Sequence, residues 1–324
     1  MDAVGTDVID DVARHVFGTG TRVAASRLLA MGTGNVAYLV AVTVGRVDRQ
    51  FVFRFNRGFR EDVYEGEATN YARVAAATGV RVPQILTIDR SCTVAPTSYM
   101  VMEYLAGDEW TDLCRPDSTG VSPEDKHAIR TAAGRFYADL HTVTRPAAAG
   151  ESVSYLLLGL AQYAAAMDAG HLVVDLDKVA ECERVVRADT AANAAQLSLC
   201  MFDGEIYFER RDGRFELAFV CDLEWVGFAN RLADLTGQTL PADKLVMVEE
   251  PVTLTDDLAR DAFYQAYEDK LPVDYAALGR LALYMQLSTW GMVAAEGAPA
   301  EKKQWIRETK LPLINQLLDL VSAT

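Results

Sequence analysis

Apolar and polar positions along the chain follow two different periods, and the change from one to the other divides it. Between residues 8 and 17 the apolar positions Val8, Ile9, Val12 and Val16 fall on one helical face, with Thr6 as the candidate N-cap. Residues 22–30 and 38–44 read as strands. Residues 51–55, FVFRF, alternate strictly, with Phe51, Phe53 and Phe55 on one face and Val52 and Arg54 on the other. A helix is expected over 61–77, acidic at its start and closed by Gly79. Strands follow at 84–88 and 98–105, and Ala106-Gly107-Asp108 breaks the second. Ser122-Pro123-Glu124-Asp125 is a helix start with an N-cap serine, a proline at the first helical position and acids in the first turn. Helices are expected over 122–142, 155–167 and 172–187. Two β-rich runs, 205–209 and 215–220, then flank Arg211-Asp212-Gly213-Arg214, a strong hairpin signal. After an irregular stretch, Thr255-Asp256-Asp257 caps a helix containing Phe263 and Tyr267, Asp274 opens another through Met292, and Ala300-Glu301 begins the last. A sheet-rich first third followed by a mainly helical remainder implies an α+β protein.

Three local features carry candidate chemistry. Arg54 is a basic residue in the middle of an apolar strand, so it needs a partner or an anion, an arginine on the solvated face of an edge strand being the plain alternative. Met31-Gly32-Thr33-Gly34-Asn35 is a Gly-rich turn between two strands, which lets backbone N–H groups approach phosphates. As a bare motif it is explained more often by an ordinary hairpin turn. Asp222 stands where the second hairpin strand runs out, followed by Leu223-Glu224-Trp225. A carboxylate on a rigid strand with an exposed tip is a common place for chemistry, and an acid that merely ends a strand is the plain alternative.

Composition narrows the classes. With 324 residues, half of them hydrophobic, the chain can bury a large core. The formal net charge is −15, from 46 acidic and 31 basic residues. That argues against nucleic acid or an anionic membrane surface as partner and suits a cationic ligand. Cys92, Cys114, Cys182, Cys200 and Cys221 are scattered without C-x-x-C spacing, and the four histidines are dispersed, so a zinc site is not expected. Reduced cysteines, no apolar leader and no run approaching 18 apolar residues point to a cytoplasmic protein without a membrane span.

The segment 222–235, DLEWVGFANRLADL, resembles the metal-binding segment of the aminoglycoside and choline-type phosphotransferases, with Asp222, Glu224, Gly227 and Asp234-Leu235 matching without a gap. The resemblance extends to the Gly-rich turn, to Gly79-Val80-Arg81-Val82-Pro83 and to Leu140-His141. It implies a bilobal protein-kinase-like fold: a small antiparallel-sheet N-lobe over 1–106 and a large helical C-lobe over 107–324. ATP and Mg²⁺ are the implied cofactors. Gly32, Gly34 and Asn35 would meet the phosphates. Arg54 would hold them, oriented by Glu67, with Glu65 as the rival partner. Glu103, Tyr104 and Leu105 would form the hinge against the purine, beside Met100 and Met102. Asp222 would hold the metal, and Asp234 and His141 would be structural.

The resemblance is weakest just before the hairpin. Where the family has His-Gly-Asp, four residues and Asn, the chain reads Ser198-Leu199-Cys200-Met201-Phe202-Asp203-Gly204-Glu205. Without gaps, Cys200 stands at the catalytic base and Glu205 at the second metal ligand. Glutamate suits a hard cation. A neutral thiol is a poor base, and Asp203 is the other candidate. Nucleophilic catalysis by Cys200 would need a base or cation nearby, and a buried strand thiol is the alternative. Two functions therefore stay open. One is ATP-dependent transfer to a hydroxyl of a small molecule or peptide, a cationic one by the charge argument. The other is a pseudokinase or partner-dependent subunit that binds a nucleotide, peptide or protein without transfer.

Overall fold

The computed structural model describes residues 4–31, 35–57, 63–149, 151, 176–191, 196–202, 204–239, 260–275, 277, 278 and 281. Gly32, Gly34 and Asp203 lie outside the described residues, as do the helix expected over 155–167, the cap at 255–257 and the last helix. Contacts divide the chain into two compact units, Met1–Ile129 with Asp203–Trp225, and Arg130–Phe202 with Val226–Thr324.

The first unit is built on a five-stranded antiparallel sheet. Its strands are β1 (Arg22–Met31), β2 (Asn35–Val44), β3 (Val47–Asn56), β4 (Ile85–Asp89) and β5 (Tyr99–Glu103), in the order β1-β2-β3-β5-β4. The alternation in 51–55 does what it predicts. Phe51, Phe53 and Phe55 join Val36, Tyr38, Val40 and Val42 under helix α1 (Thr6–Phe17), whose Ile9, Val12 and Ala13 are buried there. Phe17 and Phe51 lie with ring centroids 4.5 Å apart. The opposite face carries Val52, Met100 and Met102, packed with Tyr64 of helix α2 (Val63–Thr78).

The hairpin is β9 (Glu205–Arg211) and β10 (Arg214–Cys221), closed by Asp212 and Gly213 with φ of +48° and +81°. Two successive residues with positive φ make the turn whose twist suits a two-residue hairpin. The short strand β6 (Asp108–Glu109) adds to its edge. The hairpin groups with the first unit, whereas consecutive lobes of 1–106 and 107–324 would put it in the second. The ties are physical: β6 pairs with β9, and the Val220 amide donates to the Arg81 carbonyl at 3.1 Å.

Helix α3 (Trp110–Leu113) follows β6, and α4 (Pro123–His141) begins where the proline and acids predict. The second unit holds a three-stranded sheet not foreseen from the pattern: β7 (Thr144–Pro146), β8 (Gln196–Cys200) and β11 (Gly227–Ala229), with β8 central. Helices α5 (Leu176–Ala191), α6 (Arg231–Thr239) and α7 (Ala262–Glu268) complete its described part. Gly134 of α4 lets α7 approach closely, since a Cβ there would stand 2.1 Å from the Phe263 carbonyl oxygen. Among the described residues no helix is long and apolar enough to cross a membrane.

Candidate functional site

Strand alternation puts Arg54 on the α2 face of the sheet, where it is 8% exposed. Its Nη1 donates to Glu67 Oε1 at 2.6 Å, and its Nη2 donates to Asp222 Oδ1 at 3.2 Å. The Arg54–Glu67 pair is thus formed, while Glu65 instead meets Arg90 at 3.3 Å. Burial pulls the Arg54 guanidinium down, and Glu67 and Asp222 more than offset it, so its pKa is raised. Burial raises Glu67 above the usual carboxylate range, against the pull of Arg54.

Helix α2 supplies more than Glu67. Tyr64, Glu67 and Tyr71 follow one helical stripe. The Tyr71 hydroxyl donates to Glu67 Oε1 at 3.0 Å and accepts from the Asp222 amide at 3.2 Å. The Tyr64 hydroxyl donates to Asn35 Oδ1 at 2.8 Å, at the start of β2. Asn70 Nδ2 donates to the Leu223 carbonyl at 2.8 Å. These three side chains escaped the sequence reading, although their spacing from Glu67 was available to it. Tyr71 and Asn70 fix the strand end that carries Asp222, and Tyr64 ties the helix to the start of β2.

Asp222 has φ +57°, a left-handed conformation that a non-glycine residue adopts at a cost. Its side chain is 40% exposed. Glu205, opposite Cys221 in the hairpin register, is half-buried. Its Oε2 accepts from the Tyr207 hydroxyl at 2.7 Å and from the Cys221 thiol at 3.7 Å. Burial first, then Asp222 and Glu109, push the Glu205 carboxyl up, against the Tyr207 hydrogen bond. Two carboxylates that repel each other, each with an oxygen bearing no hydrogen bond among the described residues, form an all-oxygen donor set of the kind Mg²⁺ takes.

Where the resemblance implies a hinge, the Glu103 amide donates to the Gln84 carbonyl at 2.8 Å, and its side chain pairs with Arg81 at 2.6 Å. Tyr104 packs against the Met100–Met102 cluster. An open cavity beside them is lined by Ala41, Gln50, Gln84, Leu86 and Tyr104, among others. Leu105 follows, partly exposed.

In the second unit, Cys200 ends β8 fully buried. Its thiol lies 3.3 Å from the Ser198 carbonyl, and burial, then Asp234, hold its pKa well above the ordinary value. His141, Cys200 and Asp234 are spaced to hold a metal, yet their atoms are taken. Asp234 Oδ2 accepts from His141 Nε2 at 2.9 Å and from the Met201 amide at 2.7 Å. Its Oδ1 accepts from the Phe202 amide at 2.6 Å. His141 Nδ1 meets the Tyr267 hydroxyl at 2.8 Å. The tie expected of Asp234 is therefore present, and it fixes the two amides just before Asp203.

A model of the phosphotransferase enzyme family matches residues 26–203, more than half of the chain. The chain belongs to the phosphotransferase enzyme family. No curated relative matches it. Among solved structures it is similar to a candidate aminoglycoside phosphotransferase from Ralstonia eutropha, at 12% identity and TM-score 0.59, covering 99% of both chains. It is similar to a spectinomycin phosphotransferase solved with ADP and spectinomycin, at 10% identity and TM-score 0.57, over 97% of both chains. A microcompartment-associated aminopropanol kinase follows at 14% identity and TM-score 0.52, over 97% of this chain and 95% of that one. At these identities the likeness establishes the α+β bilobal kinase-like fold of the family.

Proposed function

We propose that this family member transfers the γ-phosphoryl group of ATP to a hydroxyl of a cationic small molecule. The observation that carries the reading is Arg54 shared between buried Glu67 and half-exposed Asp222, beside Glu205. A guanidinium locked by two carboxylates is oriented for phosphate, and the arrangement costs too much burial of charge to be incidental. The similar solved structures support a nucleotide and a small acceptor, since one was solved with ADP and another is a kinase of an amino alcohol. The acidic surface suits an amine-bearing acceptor.

Asp222 and Glu205 would hold Mg²⁺, which neutralises charge on the transferring phosphates when bound. Arg54 binds phosphate oxygens, held in place by Glu67 and Tyr71. Residues 103–105 offer backbone groups to the purine. Asp203, next to the amide that Asp234 fixes, orients the acceptor hydroxyl and takes its proton as the oxygen bonds to phosphorus and the bond to ADP breaks. Cys200 takes no part, because its neutral thiol is buried. Phosphoryl transfer demands positioning and charge neutralisation more than a strong base.

Calorimetry with ATP and Mg²⁺ tests the reading on the wild type and on Asp222→Ala. The wild type is expected to bind, and the variant to lose at least roughly a hundredfold in affinity, as removal of a charge-bearing ligand implies. Absence of ATP binding by the wild type at millimolar concentration would sink the reading. Binding without turnover on any amino alcohol or aminoglycoside would leave the pseudokinase alternative standing.

A further inference from the structure

Strand alternation gathers four side chains on one face of the hairpin. Cys221 stands opposite Glu205 and Phe219 opposite Tyr207, and the pairing between them is unbroken. Glu205 and Tyr207 are two residues apart on β9, so they share that face with their partners. The Tyr207 and Phe219 rings stack, with centroids 4.6 Å apart and planes 4° apart. Gly107, just before β6, packs tightly against the stack: a Cβ there would stand 3.1 Å from the Phe219 ring and 3.2 Å from Tyr207 Cβ. Phenylalanine would fill the same stack, so the hydroxyl is what tyrosine adds. That hydroxyl donates to Glu205 Oε2 at 2.7 Å, and the Cys221 thiol donates to the same oxygen at 3.7 Å. Both donors fall on Oε2. Among the described residues Oε1 carries no hydrogen bond, and the side chain is half-buried.

We infer that Tyr207 is a positioning residue that makes the Glu205–Asp222 site selective for Mg²⁺ over Ca²⁺. This rests on the Mg²⁺–ATP reading above and adds to it the residue that decides which cation fits. A carboxylate can give a cation one oxygen or both. Ca²⁺ takes about six to eight oxygens in flexible geometry and readily uses both, whereas Mg²⁺ demands a compact octahedron, keeps several waters and needs one oxygen from each carboxylate. A hydroxyl bonded to Oε2 withdraws that oxygen and leaves Oε1 alone. Glu205 then offers a single ligand, which suits Mg²⁺, and withholds the pair that would favour Ca²⁺. A thiol is the weaker donor, so Tyr207 carries most of the effect and Cys221 adds to it.

The test reads Mn²⁺ binding by electron paramagnetic resonance, with ADP present and with Mg²⁺ and Ca²⁺ as competitors, on the wild type, Tyr207→Phe and Cys221→Ala. The readout is the ratio of the two competitors' affinities, because a merely structural loss lowers both together. Tyr207→Phe keeps a ring against Phe219 and removes only the hydroxyl. It is expected to shift the ratio toward Ca²⁺ by roughly three- to tenfold, as loss of one hydrogen bond implies. Cys221→Ala should shift it the same way by less. Thermal unfolding of Tyr207→Phe close to that of the wild type would show that the stack is intact. If Tyr207→Phe weakens Mg²⁺ and Ca²⁺ in equal proportion, or changes neither, or if Cys221→Ala shifts the ratio more than Tyr207→Phe does, the inference is overturned while the Mg²⁺–ATP reading stands. If the wild type holds no Mn²⁺ with ADP, both fall together.

Discussion

Two clusters in this molecule use the same parts and put them to opposite uses. In the first unit Asp222 clusters with Arg54, Tyr71 and Cys221, and in the second Asp234 clusters with His141, Tyr267 and Cys200. Around Asp234 everything closes. Both oxygens are taken, by two amides and an imidazole, and His141, Asp234 and Cys200 are fully buried. Around Asp222 the cluster stays open. Its carboxylate is 40% exposed, its backbone is strained at φ +57°, and the nearby Glu205 is held above its usual range. A buried polar network with every acceptor occupied is scaffold, and one that leaves charge partly exposed and unbalanced awaits a ligand.

The sharpest way to break this comparison is to remove each aspartate and measure stability and binding separately. Asp234→Ala leaves two amides and an imidazole buried without an acceptor, so a loss of about 3–5 kcal/mol is expected in urea unfolding. Asp222→Ala should cost less than about 1 kcal/mol of stability, because its side chain is partly exposed, while removing nucleotide affinity. Similar stability losses in both variants would show that Asp222 is scaffold too.

Next in size is Glu67→Gln. The amide keeps an acceptor for Arg54 and Tyr71 but removes the charge that orients the guanidinium. A hydrogen bond to a charged group contributes about 1.5–3 kcal/mol, so Mg²⁺–ATP should bind roughly ten- to a hundredfold more weakly. Unchanged affinity would mean that Asp222 alone orients Arg54.

These sites differed in how far the sequence disclosed them. FVFRF named Arg54 by itself, since an arginine in an alternating apolar strand must answer to something. Asp222 was legible from its place at a strand end. The clamp from α2 was legible in principle, because Tyr64 and Tyr71 share the stripe of Glu67, yet tyrosines at helical spacing read first as core. Strands β7, β8 and β11 were hidden for another reason. They are three to five residues long and pair across more than 25 positions, from Ser198 to Ala229 and from Thr144 to Ser198, which no local pattern records. Hence the gap-free reading places Cys200 at the base position, while the fold buries that thiol and ties Asp234 to the Met201 and Phe202 amides.

Cys200→Ala separates the two candidate bases, Cys200 and Asp203, with a smaller effect. Losing a buried sulfur should cost about 1–2 kcal/mol of stability and leave the transfer rate unchanged. Asp203→Asn should slow transfer while sparing ATP affinity. A tenfold slower Cys200→Ala with normal stability would return the cysteine to the active site.

The smallest effect expected is on the open side of the comparison, at Glu205. Its folded-state pKa is raised by burial, and by Asp222 and Glu109 beyond that. The sign follows: a carboxyl raised on folding contributes its full stability below the unfolded value, near 4.3, and that contribution is lost as pH rises through the folded value. Glu205→Gln is neutral throughout and escapes the loss. Without divalent cation, the variant should therefore be more stable than the wild type at neutral pH, with the gap narrowing as pH falls toward 4, as thermal unfolding across that range would record. Added Mg²⁺ should narrow the gap from the other side, by favouring the ionised carboxylate in the wild type alone. A gap that is constant with pH would place the ionised Glu205 at ease where it is, and would remove the charge imbalance on which the proposed cation site rests.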